Sequence, residues 1–364
     1  MGGRFVEPDL GFIAELKLRG GDTLKKCYQC ATCSVVCNLT HDDTPFPRKE
    51  MIWAQWGLKD RLLADPDVWL CHQCGDCSLK CPRGAKPSSV LSAIRNASFR
   101  RFAFPGFMGA ALSSPLYLPL LIAAPVFALA AVLFSLNGFA VPEGAIVYSK
   151  FMPIKAIDSV FLPVSIFALA CAFMGVRSFW DGLVKAGPLP ADANIPAAII
   201  GAVKEIFTHE RFGKCDANRY RRWGHLLMFF GVVSLFITTN MVMAYHYLLH
   251  VETPLALHDP VKLLGNFGAV FAFVGCTWII AKRTVSDEGS TYYDWTFALA
   301  LYFTVITGIF SEILRLAETP GPAYPVYFTH LTLVFFLIAY MPFSKFAHML
   351  YRATAMVYSI AAKK

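Results

Sequence analysis

The sequence predicts an all-α protein in two parts: a polar N-terminal head and an apolar body of six membrane-spanning helices. The 364-residue chain contains 56% hydrophobic but only 16% charged residues, whereas soluble domains carry about a quarter charged residues. The shortage of charge begins after Arg101. In the head, apolar residues recur at helical spacing in several segments, for example between Pro47 and Leu63, which indicates helices.

Six apolar stretches of the body are long enough, or nearly so, to cross a bilayer, which takes about 20 mostly apolar residues. The head comprises residues 1–101 and the body residues 102–364. We expect the spans near residues 116–136, 159–177, 223–249, 263–281, 295–315 and 325–346.

Basic residues lie mainly at those span ends that share a side with the head, for example Arg101, Arg177, Arg222 and Arg283. Because Lys and Arg concentrate on the cytoplasmic side, this asymmetry predicts a multi-pass membrane protein with both termini cytoplasmic. The same placement accounts for the net charge of +8. We therefore expect membrane lipid, and no nucleic acid, as a partner.

Two cysteine runs with the same spacing, Cys-x2-Cys-x2-Cys-x3-Cys, dominate the head. They consist of Cys27, Cys30, Cys33 and Cys37, and of Cys71, Cys74, Cys77 and Cys81. This spacing binds a [4Fe–4S] cluster through three cysteines, while the fourth cysteine reaches a second cluster. Zinc sites use four ligands, usually as two pairs, and a disulfide framework needs an oxidising compartment, so both fit less well.

We therefore predict two [4Fe–4S] clusters with crossed ligands. One is expected on Cys27, Cys30, Cys33 and Cys81, and the other on Cys71, Cys74, Cys77 and Cys37. Helical segments between and after the runs favour a helical ferredoxin domain. The other cysteines, Cys171, Cys215 and Cys276, are expected to be small buried hydrophobic residues.

Histidines on two apolar spans form a second pattern. His330 and His348 are 18 residues apart on the predicted sixth span. In a continuous helix this is about five turns, so we expect both on one face, about 27 Å apart. The third span carries His225 near the end on the head's side, and His246 and His250 near the other end.

The third and sixth spans run in opposite directions, so His225 lies level with His348, and His246 or His250 lies level with His330. Two such pairs match two bis-histidine b haems, one near each membrane face. The depth in the membrane that a partner of His330 needs favours His246 over His250. The alternative to haem ligation is that all these histidines are ordinary core or interfacial residues. The body is thus predicted to be a six-helix transmembrane cytochrome b bundle.

Two residues are candidates for a quinone site. Glu312, near the outer end of the fifth span, can accept a proton from a quinol, or can simply pair with Arg315 three residues later. His209, in the inner loop after the second span, can contact a quinone head group or belong to a solvated basic loop.

At this point the layout resembles known families. The head resembles the C subunit of heterodisulfide reductase, through the runs that start at Cys27 and Cys71. The body resembles the heterodisulfide reductase E subunit and the cytochrome b subunit of respiratory nitrate reductase, through His330, His348 and the segment that leads to His225. The fusion of both modules is similar to the membrane-subunit family of the quinone-interacting membrane-bound oxidoreductases of sulfate reducers.

This resemblance implies an electron-transfer subunit that uses menaquinone as its substrate. Its partners would be cytoplasmic flavin- and iron–sulfur-containing subunits, with adenylylsulfate reductase reached indirectly. Two alternatives stay open: a quinone-linked subunit of another pathway, and a non-catalytic membrane anchor or sensor that carries clusters. Whether quinol oxidation takes place in this chain is also open.

Overall fold

The computed structural model describes residues 7–41, 43–215, 220–285 and 290–363, and every regular element among them is a helix. The predicted all-α class is therefore confirmed. The helices of the head are α1 (Leu10–Leu16), α2 (Thr32–Val35), α3 (Arg48–Gln55), α4 (Lys59–Leu63), α5 (Pro66–Leu70), α6 (Asp76–Leu79) and α7 (Pro87–Phe102). Those of the body are α8 (Gly106–Leu112), α9 (Leu118–Asn137), α10 (Tyr148–Phe151), α11 (Ile154–Ala186), α12 (Ile195–Thr208), α13 (Arg221–Leu248), α14 (Pro260–Val285), α15 (Tyr292–Leu316), α16 (Pro320–Ala339) and α17 (His348–Ala361).

Six helices in the described part of the chain are long and apolar enough to span a membrane, as the sequence predicts. They are Pro115–Asn137, Ile154–Ala186, Arg221–Leu248, Pro260–Val285, Tyr292–Leu316 and Pro320–Ala339. This arrangement is consistent with a multi-pass membrane protein.

The predicted sixth span is wrong at its end. α16 stops at Ala339, two short 3-10 turns follow, and α17 begins at His348. Pro342 lacks an N–H donor and disfavours a helical conformation of the residue before it. The Ser344 hydroxyl then accepts the N–H of Phe346 at 3.2 Å, which caps the second turn. His330 and His348 therefore lie on two different helices, and their expected alignment on one continuous helix is wrong.

Glycines bring α13 and α14 close together. Gly224 and Gly231 on α13, and Gly268 and Gly275 on α14, are each seven residues apart, so each pair lies on one helix face. A Cβ added at Gly268 would come within 2.8 Å of the Ser234 Cβ. Small residues in such places let two helix backbones approach each other inside a membrane. The contact fixes the rotation of α13 and therefore the direction in which its histidines point.

The head and the body share one hydrophobic core. Trp69 of α5, fully buried, contacts Phe99 of α7, Phe179 of α11 and Tyr351 of α17. The three ring centroids lie 5.2, 5.9 and 5.0 Å from that of Trp69. Each aromatic side chain of this size buries roughly 150–250 Å². The head is therefore packed onto the body, with the second cysteine run facing α17.

A charged cluster is buried in the head beside the second run. The Lys49 ammonium lies 3.1 Å from Glu50, 3.1 Å from Asp65 and 2.8 Å from Asp67. Glu50 is completely buried. Burial, followed by the charge of Asp65, raises the pKa of Glu50 well above its ordinary value. One lysine therefore holds a group of three carboxyls, of which Glu50 most readily takes up a proton.

Candidate cluster and haem sites

The two cysteine runs share one local design and pack side by side. Each run contains a one-turn helix, α2 in the first and α6 in the second, and these two helices are in contact. Each helix is preceded by a residue with positive φ: Ala31 at 66° and Gly75 at 89°. This left-handed residue reverses the chain so that the cysteines on either side of it turn toward a common point.

One cavity gathers the cysteines that were predicted to hold the second cluster. Cys37, Cys71, Cys74 and Cys77 all line this space of about 240 Å³. Cys37 belongs to the first run, so this grouping agrees with the predicted crossing of ligands, which stays a prediction. Burial raises the pKa of the Cys37 thiol to about 12, and Cys71 and Cys74 add to this effect. Four thiolates this close together would repel one another, and bound iron cations balance their charge. The site therefore suits an iron–sulfur cluster, which binds cysteines as thiolates.

The first cluster site is more open to solvent. Burial, together with the neighbouring Cys27 and Cys30, raises the pKa of the Cys33 thiol to about 11, so these three cysteines lie close together. Cys30 is exposed. Cys81 accepts a hydrogen bond from the Ala85 N–H at 3.4 Å, and its assignment to the first cluster stays a prediction.

N–H groups already point at sulfurs of both runs. The Gln73 amide donates to the Cys71 sulfur at 3.3 Å, and the Gln29 side chain donates to the Cys27 sulfur at 3.4 Å. Hydrogen bonds of this kind help to set the reduction potential of an iron–sulfur cluster. Both sites therefore fit [4Fe–4S] clusters in their donor atoms and in the groups around them.

A second cavity, of about 220 Å³, contains the histidine pair expected on the head's side. His225 from the first turn of α13 and His348 from the start of α17 both line it, together with Cys71 of the second run. The Nδ1 of His348 lies 2.6 Å from the Lys345 carbonyl. An N–H at this position donates to the carbonyl and leaves Nε2 available for a metal, which is the usual arrangement for a ligating histidine.

His209 contacts the other histidine of this cavity, and this changes its expected role. Its Nε2 lies 2.9 Å from the Nδ1 of His225. If His225 coordinates a metal through Nε2, its proton is on Nδ1 and His209 is the acceptor. Burial lowers the pKa of His209 to about 4, so it is neutral and able to accept. His209 therefore fits a role in orienting His225 better than a contact with a quinone.

The rest of the lining fits a b haem. Met228, Phe229, Ile280 and Leu301 give the cavity apolar walls. Its basic side chains suit the two propionates of a haem; they are Arg95, Arg221, Arg283, Lys345 and Arg352. Asp294 supplies the opposite charge, because it pairs with Lys345 and lies 3.8 Å from Arg283.

Arg352 joins the two cavities, and the sequence did not single it out. Its guanidinium donates to the carbonyls of Trp69 and Cys71 at 3.1 and 3.2 Å, and to the Nδ1 of His72 at 2.9 Å. Burial, and the charge of Arg352 beside it, lower the pKa of His72 to about 2, so the imidazole is neutral and accepts. Arg352 follows His348 by four residues, and this same-face spacing was the signal that could have identified it.

The outer histidines are not brought together in the same way. The Nδ1 of His330 lies 3.0 Å from the Thr304 carbonyl, and its ring lies against Gly308 of α15. His246 is half-buried in the last turn of α13, whereas His250 is exposed beyond the end of that helix. Within the described residues, no hydrogen bond or ring contact links either of them to His330. The second histidine pair stays a prediction, and His246 is its better-placed member.

Glu312 lies in an ion-pair group at the outer ends of the spans. Its carboxylate is 2.7 Å from the Lys262 ammonium and 2.9 Å from the Arg315 guanidinium. The predicted pairing with Arg315 is therefore present, and Lys262 is an addition that the sequence did not reveal.

Comparison with known proteins gives one family match in the head and another in the body. Residues 23–85 match the 4Fe-4S dicluster domain family, and residues 111–364 match the Citrate utilization protein B family. The head is therefore an iron–sulfur domain, which supports a role in electron transfer. No solved structure matches the chain.

Individual relatives support both parts. The C subunit of the H(2):CoB-CoM heterodisulfide,ferredoxin reductase of Methanothermobacter marburgensis is 38% identical over 104 residues, 28% of this chain and 54% of the relative. The heterodisulfide reductase C-subunit-like protein of Archaeoglobus profundus is 36% identical over 93 residues, 25% of this chain and 50% of the relative. The chain thus spans about half the length of these relatives, and the predicted resemblance of the head to the C subunit of heterodisulfide reductase is confirmed.

The relative that extends through the body is the Citrate utilization protein B of Escherichia coli. It is 27% identical over 310 residues, which cover 79% of this chain and 80% of the relative. Both cysteine runs and the six apolar helices thus occur in one chain whose body, residues 111–364, matches a single family over more than half of the sequence. The chain belongs to the Citrate utilization protein B family.

Proposed function

We propose that this chain is a membrane electron-transfer subunit that passes electrons between menaquinol and cytoplasmic flavin- and iron–sulfur-containing partner subunits. Two b haems and two [4Fe–4S] clusters would carry the electrons. The main support is that Cys71, a predicted cluster ligand, lines the same cavity as His225 and His348. The proposed ligands of two different redox centres would thus lie next to each other at one cavity.

Each proposed redox group has its own set of ligands. His225 and His348 would hold the inner haem, and His330 with His246 the outer one. The cysteines would hold the clusters in the crossed arrangement, which the shared cavity of Cys37 and Cys71 supports. The bound groups would supply one-electron transfer, while the protein fixes their ligands, covers them with apolar side chains and balances their charge.

The quinone chemistry is proposed for the outer end of the bundle, around Glu312. The Tyr148 hydroxyl donates to the Ser311 carbonyl at 2.6 Å, and its ring stacks on Tyr327 at 4.2 Å. A carboxyl group near aromatic rings at the end of a span could exchange a proton with a quinol that binds there. We place the protein in the bacterial cytoplasmic membrane, with the head and the C-terminal helix in the cytoplasm.

The pathway depends on the partner subunits. In one candidate pathway, the partner subunits pass the electrons on to adenylylsulfate reductase in sulfate respiration, as the similarity to the membrane subunits of sulfate reducers implies. The match over residues 111–364 favours a second candidate, an oxidoreductase that serves citrate utilization, after the name of the Escherichia coli relative. Identification of the proteins that copurify with the chain decides between them.

The test of the proposal is spectroscopic. The purified full-length chain should contain about eight irons in clusters and two b haems, with a b-type α band in the reduced-minus-oxidised spectrum. His348→Ala and His330→Ala should each remove about half of the haem, while His258→Ala, at an exposed site, should remove none. A protein without the α band would contradict the haem proposal and favour a cluster-bearing anchor or sensor.

A further inference from the structure

A cysteine from outside the two runs lies at the second cluster site. Cys215 comes from the loop after α12, in the body, and it lines the same cavity as Cys37, Cys71, Cys74 and Cys77. Its side chain is 7% exposed. The Cys215 sulfur, the Cys74 sulfur and a carboxylate oxygen of Asp76 all lie within 4.8 Å of one another. The expectation that Cys215 is only a small buried hydrophobic residue is therefore incomplete.

The number of iron atoms makes Cys215 surplus as a ligand. Two [4Fe–4S] clusters present eight irons, each of which takes one thiolate, and the two runs already supply eight cysteines. The crossed set of Cys37, Cys71, Cys74 and Cys77 fills the second cluster. Cys215 is held against one of these ligands but is not needed by the iron, and a thiol S–H is a weak hydrogen-bond donor.

We propose that Cys215 is a positioning residue of the second cluster, whose S–H donates a hydrogen bond to the Cys74 thiolate. A cysteine that binds an iron does so as a thiolate, which accepts hydrogen bonds, and a carboxylate oxygen also accepts. The thiol of Cys215 is the group of the three that is suited to donate. The inference rests on the proposed cluster ligands and adds a residue from outside the head to them.

The loop that carries Cys215 is held against the head. Phe212 stacks on His72 of the second run, with 5.1 Å between the centroids and 9° between the ring planes. Arg221, at the start of α13, donates to the Gln73 carbonyl at 2.6 Å. The position of the Cys215 thiol therefore depends on the docking of head and body, and so does the hydrogen bond that it gives to the cluster.

A hydrogen bond to a cluster thiolate stabilises the reduced, more negative state and so raises the reduction potential. We expect Cys215→Ala to lower the midpoint potential of one cluster while the other stays unchanged. Cys215→Ser keeps a donor and should restore most of the shift. Cys171→Ala is the matched control, because Cys171 is equally buried but lies in α11.

The experiment is a redox titration of the anaerobically purified full-length protein, followed by electron paramagnetic resonance, with iron determined on each variant. Unchanged potentials in Cys215→Ala at full iron content would overturn the proposal. A fall to about four cluster irons, counted after haem iron is subtracted, would also overturn it, because Cys215 would then be a ligand. Wild-type protein with fewer than about eight cluster irons would instead contradict the proposed function, so the two failures are distinguishable.

Discussion

Replacement of Arg352 by methionine tests how the body supports the second cysteine run. The guanidinium donates to the carbonyls of Trp69 and Cys71, which stand at the C-terminal end of α5. Helix ends leave carbonyls without partners inside the helix, so another group must satisfy them. Burial lowers the pKa of Arg352 only to about 10, and the side chain is therefore charged at neutral pH.

The expected magnitude follows from these contacts. A buried carbonyl that loses its partner costs about 1–3 kcal/mol, so two of them cost roughly 2–6 kcal/mol in Arg352→Met. The lost interaction between the cation and the helix end adds to this cost. Arg352→Lys keeps the charge but cannot reproduce the forked geometry, and it should fall between the wild type and the methionine variant.

Hydrogen exchange, followed by mass spectrometry on the purified, cluster-loaded protein, measures the loss of local stability in this segment. Amides of residues 66–81 should exchange roughly 30- to 10⁴-fold faster in Arg352→Met, at about tenfold per 1.4 kcal/mol. Amides of α14, on the other side of the cavity, serve as an internal control. Exchange in residues 66–81 at the wild-type rate would refute the view that Arg352 supports this segment.

Three further predictions concern the buried cluster of the head and the two haem sites. The raised pKa of Glu50 means that its contribution to stability is present below its ordinary pKa and is lost as the pH rises through the raised value. Glu50→Gln should therefore raise the melting temperature more at pH 8 than at pH 5. An equal change at the two pH values would contradict this. His209→Phe should keep the inner haem but shift its midpoint potential in an optical titration, because His225 loses its partner; an unshifted potential would return His209 to the quinone hypothesis. A Cβ at Gly308 would lie 3.0 Å from the His330 ring, so Gly308→Val should remove about half of the haem by absorbance, whereas full retention would argue against His330 as a ligand.

The features that follow from local spacing could be predicted from the sequence. The 2-2-3 intervals of the cysteine runs indicated that Cys37 belongs with the second run, and the structure places it in that cavity. The spans could be predicted because the membrane requires about 20 apolar residues in a row, whatever the neighbours of the helix are. His225 and His348 were paired by their depth, and they line one cavity.

The features that depend on tertiary contacts could not be predicted in the same way. The break after Ala339 has a local cause in Pro342, but the apolar run continues through it and conceals it. Cys215 lies 134 positions after the last cysteine of the second run, and no periodicity connects the two. Its place beside Cys74 results from the folding of the loop after α12 onto the head.

The contact between Trp69 and Tyr351 has a consequence for how the protein is made. Trp69 belongs to the iron–sulfur head, whereas Tyr351 belongs to α17, which follows all six spans along the chain. A ribosome completes the head long before it completes α17. Phe99 and Phe179 can pack against Trp69 earlier, but the part of the ring that Tyr351 covers stays open until α17 has been made. The docking of α17 onto the head is therefore a late event in synthesis, after all six spans.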